Sequence, residues 1–417
     1  MAGTIRIEDL ADPVLTPMQR AAIEASPPVE MDAELVLRAA LDATGLGDFG
    51  PPDFRERLDI WLRSFDEDAG LNALGRANLF QDCVRLASTR LRFEAAWKLH
   101  PEIAAVKIDR PIMIAGLPRS GTTHLVNLLA ADQRLRSLPL WESMDPVGEE
   151  GPAPPREADP RRLRCQAMWG GFEAILPLMP AMHEMDPDAV HEDVELLGVD
   201  FSGYVPEWVS RPIGLRDHYC TTDQTPHYFY ARRLLQYLTW RRGPERWVLK
   251  SPPHMENLAA LKTVFPDATV VVTHRDPLAV LQSAITMIGY GDRIRRKRVD
   301  LKELADYWIA RIERLLRRCV AERDLLPRAM DVRFHDYMAD QLGTIERVYA
   351  LADLELTQEA RARIGRYLSA NPRGKHGQVA YDLEGDFGVD IKALRRRFAF
   401  YYERFGVRPE PMNGETP

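Results

Sequence analysis

The chain has 417 residues, 45% of them hydrophobic and 28% charged, with a formal net charge of −7. That length can bury a large core as one elaborated domain or two, and the acidic balance argues against a general nucleic-acid binder. There is no apolar run of about 18 residues, so no membrane helix is expected. Met1 to Asp9 carry no apolar signal stretch, and Cys83, Cys165, Cys220 and Cys319 lack metal spacing, so reduced thiols in a cytoplasmic protein are expected.

Residues 1–30 read as an extended, proline-bearing arm. Asp32 predicts a helix cap, followed by Leu35, Leu37 and Leu41 at helical spacing and a stop near Gly45. Pro51-Pro52 opens a second helix with Leu58, Trp61 and Leu62 on its apolar face. A long helix fits residues 71–100, with Leu79, Cys83, Leu86, Leu91, Phe93 and Trp97 turned inward. Residues 1–105 thus form a helical extension without a catalytic constellation. Packing or dimerisation is its expected role, so a homodimer is one expectation.

The pattern changes at residues 110–131. Ile112 to Ala115 is a short apolar run of the kind a buried strand shows, Gly116 to Thr123 is a turn rich in Gly, Pro and hydroxyls, and Leu125, Leu128 and Leu129 recur at helical spacing. Strand, Gly-rich loop and helix start together make an anion site, because the loop amides and the exposed helix end point at negative charge. Gly116 and Gly121 bracket four residues as in a Walker A loop, yet Thr122 stands where that motif demands Lys.

From about 143 to 245 the sequence is irregular and rich in Pro, Trp, Tyr and Met, as suits a cap over an acceptor pocket. Trp169, Phe172, Met179, Met182, Tyr204 and Trp208 either line that pocket or form the cap's own core. The stretch from His183 through His191 to Glu195 reads as a helix start dressed with acids, and no metal is assigned to it. Strands are then expected at 247–250, 268–273 and 330–334, separated by helices, with a solvated basic loop at Arg293 to Arg298 and a last helix over 390–405. Alternation of strand and helix predicts an α/β fold: a P-loop-like parallel sheet flanked by helices in residues 106–417, carrying a helical or irregular cap as an insertion. A second anion site joins Arg275, at a strand end, to Ser283, about two helical turns on. Both sites fall at the carboxyl ends of strands, where open α/β sheets bind ligands.

The set Pro118-Arg-Ser-Gly-Thr-Thr123, Arg275-Asp-Pro with Ser283, and Arg373-Gly-Lys375 resembles the cofactor loops of sulfotransferases that use 3′-phosphoadenosine 5′-phosphosulfate (PAPS). The resemblance spans roughly residues 106–405, and is closest to a bacterial branch with Gly-Leu-Pro-Arg-Ser-Gly-Thr-Thr and Leu-Lys-Ser-Pro, here Leu249 to Pro252. It implies that Arg119, Ser120, Gly121, Thr122 and Thr123 hold the 5′-phosphosulfate and that Arg275 and Ser283 take the 3′-phosphate. It further implies that Arg373, Gly374 and Lys375 close over that phosphate, that Phe334 meets adenine, and that Lys250 touches the transferring group. The implied acceptor is a small alcohol or phenol, and no metal is required.

The chain departs from cytosolic relatives at two positions. His124 replaces a Trp, and Pro252 stands where those relatives carry a His base. Glu142 is the first choice of base, His254 the second, and Glu192 or His183 the third. The rival readings are a P-loop kinase or NTPase and a non-catalytic nucleotide-binding protein. A kinase predicts Lys at position 122 and a metal-binding Asp at a strand end, where this chain has Thr122 and Thr273-His274-Arg275.

Overall fold

A computed structural model describes residues 4–183, 186–243, 245–372 and 378–412. The chain begins with β1 (Thr4–Ile5), α1 (Pro17–Glu24), α2 (Ala33–Thr44), α3 (Phe54–Glu67) and α4 (Ala73–Leu99). Then come β2 (Ile112–Gly116), α5 (Thr122–Ala130), β3 (Leu135–Arg136) and the cap helices α6 (Leu140–Met144), α7 (Pro160–Ile175), α8 (Met179–Met182), α9 (Val194–Gly198), α10 (Ile213–Thr221) and α11 (Thr225–Arg242). The remainder is β4 (Arg246–Ser251), α12 (Leu258–Val264), β5 (Thr269–His274), α13 (Pro277–Arg295), α14 (Leu301–Glu322), β6 (Met330–Arg333), α15 (Phe334–Ala339), α16 (Gln341–Leu351), α17 (Gln358–Ala370), β7 (Gln378–Val379), α18 (Leu383–Phe387), α19 (Ile391–Arg397) and α20 (Ala399–Phe405).

The central sheet has the order β3-β4-β2-β5-β6, and every pairing is parallel. Both faces are covered, as the unbroken apolar strands require. Ile112 and Ile114 join Leu125, Val271 and Ile345 in the cluster on one face, while Met113 and Ala115 join the larger core on the other. That larger core runs from Ile7 to Met412 and crosses the boundary near residue 105. The strand register sets the site: Ala115 pairs with Ser251, Gly116 with Thr273 and His274 with Arg333. The loops after β2, β4, β5 and β6 therefore leave the same sheet edge.

The helical extension forms as its caps dictate. Asp32 accepts from the Leu35 amide and Gly45 closes α2 in the left-handed conformation. The residues α2 buries are Val36, Leu37 and Ala40, while Leu35 is exposed. Three sequence expectations fail in whole or in part. Residues 1–30 are not a plain arm, because Thr16 and Gln19 make a reciprocal capping box that starts α1. The Gln19 side chain then donates to the Ile175 carbonyl at 2.8 Å. The cap, expected to be helical or irregular, carries α7 to α11, of which α11 alone has 18 residues. The expected terminal helix is two, divided at buried Phe398. The basic run at 293–298 is only partly a solvated loop: Lys297 and Arg298 are exposed, but α13 runs to Arg295, and Arg293 pairs with Asp9 at 2.9 Å and Arg296 with Asp68 at 2.8 Å, both guanidiniums buried. Partnered acids elsewhere in the chain, invisible to local pattern, drew these cations inward.

Candidate active site

The Gly-rich loop is shaped by two left-handed residues, Arg119 at φ 65° and Gly121 at φ 87°. Gly121 sits at the N-terminus of α5 and no side chain caps that helix. Its first-turn amides are therefore available to an anion. Space is also tight there. A Cβ on Gly121 would lie 3.1 Å from the Phe334 ring, and one on Gly116 would lie 1.9 Å from the Thr273 hydroxyl. The Ser120 side chain turns inward, donating to the Leu117 carbonyl at 2.6 Å and lying 2.9 Å from the Thr273 hydroxyl. Ser120 thus braces the loop with its side chain, and its amide also donates to the Leu117 carbonyl, at 3.2 Å. Thr122 is buried, whereas Thr123 is exposed.

Lys250, near the end of β4, extends its Nζ to within 3.3 Å of the Thr123 hydroxyl. The same ammonium pairs with Glu192 at 2.5 Å. Glu192 is held there by a strap of chain. The Leu140 amide donates to the Ala189 carbonyl, the His191 amide to the Leu138 carbonyl, and the Asp193 amide to the Lys250 carbonyl. Arg119 reaches the same segment from the other side, its Nη1 donating to the Met182 carbonyl at 2.6 Å. His183 follows, with its ring 6.2 Å from that of His191. Burial, together with the charges of His183 and Lys250, holds His191 well below the ordinary histidine range, so its imidazole is neutral at pH 7. Arg119, Thr123, His183, His191, Glu192 and Lys250 thus form one neighbourhood at the sheet edge.

The second anion site is assembled alongside. Arg119 Nε donates to the Ser283 hydroxyl at 2.9 Å, and Arg275 Nη1 donates to the Arg119 carbonyl at 2.6 Å. The Arg275 guanidinium lies over the Phe334 ring, 4.1 Å from its centroid. Asp276 caps α13 through the Leu278 amide, which fixes the strand-to-helix turn that carries Arg275. Arg373, Gly374 and Lys375 lie outside the described residues.

Two proposed bases are placed elsewhere or fully engaged. Glu142 is buried between Arg136, at 3.3 Å, and Arg242, at 3.0 Å. Its hydrogen bonds and ion pairs go to these two guanidiniums rather than to a residue of the Gly-rich loop, which suits a structural ion pair better than a base. His254 is buried with both ring nitrogens occupied, Nδ1 by the Tyr228 hydroxyl at 2.9 Å and Nε2 by Asp193 at 3.1 Å. It supports the strap that carries Glu192. Glu192, third in the sequence ranking, and His191, read there as part of a helix start, are the residues that the structure brings to Lys250 and His183. The available signal was the run of acids after His191, read there as a helix start. Among the described residues no group of three or more His, Cys, Asp and Glu is placed to hold a metal ion, and no helix is long and apolar enough to cross a membrane.

Residues 111–358 match the sulfotransferase family model. No curated protein matches the chain. Among solved structures, the sulfotransferase STF1 from Mycobacterium tuberculosis H37Rv is similar at 30% identity and a TM-score of 0.77, over 88% of this chain and 98% of that one. The sulfotransferase STF9 from Mycobacterium avium is similar at 27% identity and a TM-score of 0.81, over 92% and 98%. The parallel sheet flanked by helices is the sulfotransferase α/β fold of these neighbours, and the chain belongs to the sulfotransferase family.

Proposed function

We propose that the protein transfers a sulfuryl group from PAPS to the hydroxyl of a small alcohol or phenol. The observation that carries this reading is the contact chain Thr123–Lys250–Glu192, which joins an uncapped helix start to a cation and a carboxylate. The donor set suits a ligand with two anionic ends. The α5 amides, Thr123 and Lys250 suit the phosphosulfate, and Arg275 with Ser283 suits the 3′-phosphate beside Phe334. Arg373, Gly374 and Lys375 complete that second end in the same reading.

Bound there, PAPS supplies a sulfuryl group on a phosphate that leaves readily. Glu192 accepts the proton of the acceptor hydroxyl as its oxygen attacks sulfur in line. Lys250 turns from Glu192 toward the sulfuryl oxygens beside Thr123, which leaves the carboxylate free to take that proton. Arg119 and the α5 amides neutralise charge on the phosphate as its bond to sulfur breaks. These are cationic and amide contributions from the chain itself.

Transfer of labelled sulfate from PAPS to a panel of phenols and alcohols, with ATP·Mg²⁺ phosphoryl transfer as the comparison, tests the reaction class. Arg275→Ala is expected to weaken PAPS binding several-fold or more. Unchanged affinity would overturn the assignment of the 3′-phosphate to Arg275.

A further inference from the structure

The carboxylate of Glu410 already occupies the guanidinium assigned above to the 3′-phosphate. Arg275 Nε donates to Glu410 Oε1 at 2.7 Å and Arg275 Nη2 to Glu410 Oε2 at 2.8 Å, a bidentate fork. A planar carboxylate on this edge presents two oxygens to Arg275 just as a phosphate would. The third donor of that guanidinium is also spoken for: Arg275 Nη1 goes to the Arg119 carbonyl, while the Ser283 hydroxyl accepts from Arg119 and keeps its own O–H to donate.

Glu410 is delivered by the chain that follows α20, and its backbone is anchored apart from its side chain. The Glu410 amide donates to Asp276 at 2.6 Å, and Arg395 donates to the Glu410 carbonyl at 2.9 Å. The Asp276 carboxylate is itself fixed by the Tyr402 hydroxyl and the Leu278 amide. Nearby Val407 and Met412 are buried. The segment can therefore stay docked while the carboxylate alone swings away. The side chains of Arg275 and Glu410 are 16% and 31% exposed, so water can replace the broken contact at modest cost.

Resting on the PAPS reading, we propose that Glu410 is a built-in competitor of the 3′-phosphate. A phosphate dianion and a carboxylate cannot share one guanidinium edge without strong repulsion, so occupancy by either excludes the other. Glu410 then weakens cofactor binding and hastens release of adenosine 3′,5′-bisphosphate, the desulfated product.

Calorimetric titration of the wild-type chain and Glu410→Gln with adenosine 3′,5′-bisphosphate and with ADP tests this. Glu410→Gln keeps the shape and removes the charge. It should bind the bisphosphate roughly two- to tenfold tighter, with ADP affinity unchanged. Glu410→Asp, too short to hold the same fork, should also gain affinity. A wild-type preference for the bisphosphate with no gain, or a loss, in Glu410→Gln would overturn the competitor and make Glu410 a group that positions Arg275. Equal affinity for the two nucleotides in both chains would overturn the 3′-phosphate reading, and this inference with it.

Discussion

Two carboxylates with similar local sequence settings have opposite fates. Glu142 follows Trp141 on a short helix and is sealed between Arg136 and Arg242, whereas Glu192 lies at the loop with Lys250 as its partner. Glu192→Gln is expected to lower turnover by about 10²-fold or more while affinity for adenosine 3′,5′-bisphosphate stays within about twofold. Full activity in that variant would remove Glu192 as the base. Glu142→Gln should do the reverse. It leaves buried Arg136 short of its counter-charge, at a cost of about 3 kcal/mol in unfolding free energy, with turnover of the folded fraction preserved. His191 adds a pH dependence. Its folded pKa is depressed by burial, so the unfolded chain binds the extra proton first. The stability contributed by the neutral ring is complete above about pH 6.5 and is lost as pH falls from there toward the folded value. Thermal melts of His191→Gln between pH 7 and pH 5 should show a shallower decline than the wild type, and an identical slope would show that another group titrates.

At the scale of elements, the loop after β2 depends on backbone that only glycine supplies at low cost. Gly121 combines φ 87° with a Phe334 ring 3.1 Å from where a Cβ would stand. Gly121→Ala should therefore disturb both the start of α5 and the ring that covers Arg275. Expected outcomes are a loss of more than 1 kcal/mol in chemical denaturation and at least tenfold weaker binding of adenosine 3′,5′-bisphosphate. Binding at wild-type strength would mean that the loop tolerates a Cβ there. This stretch was legible in the sequence because its signals are local: an apolar strand, two spaced glycines and helical leucines within 20 residues. The same holds for α2, whose cap and stop are written in Asp32 and Gly45. The partners of the loop were not legible in this way. Lys250 meets Thr123 across 127 positions and Arg119 meets Ser283 across 164, and nothing in local periodicity encodes such pairings. The basic run at 293–298 misled for that reason too, since Asp9 and Asp68 lie more than 200 positions away.

Over the whole molecule, charge ties the helical extension to the cap alongside apolar packing. Asp200, in the turn after α9, accepts from Arg57 of α3 at 2.8 Å and Arg90 of α4 at 2.6 Å, and lies 2.6 Å from His227 Nδ1 of α11. All four side chains are buried. Arg90 also lies over the Phe54 and Tyr230 rings, 4.4 and 4.6 Å from their centroids, which joins the same elements through apolar faces. The extension is thus part of the frame that holds the cap, and the cap in turn carries the strap bearing Glu192. Burial alone would raise the Asp200 pKa, but the His227 hydrogen bond and the charges of Arg57 and Arg90 outweigh it and hold the carboxyl below its ordinary value. A depressed folded value means that this stability is present above about pH 4 and is lost as pH falls through the folded pKa. Asp200→Asn removes the charge at every pH and strands two buried guanidiniums, a cost of about 3–5 kcal/mol. The variant should melt several degrees lower at pH 7, and the gap from the wild type should narrow on acidification below pH 4. Sulfate transfer should fall in parallel with the folded fraction if the hub acts only through the frame. A loss of transfer at temperatures where the variant is fully folded would instead place the hub's effect on the position of Glu192. That is distinguishable by whether the affinity for adenosine 3′,5′-bisphosphate, governed at the opposite side of the loop, stays unchanged.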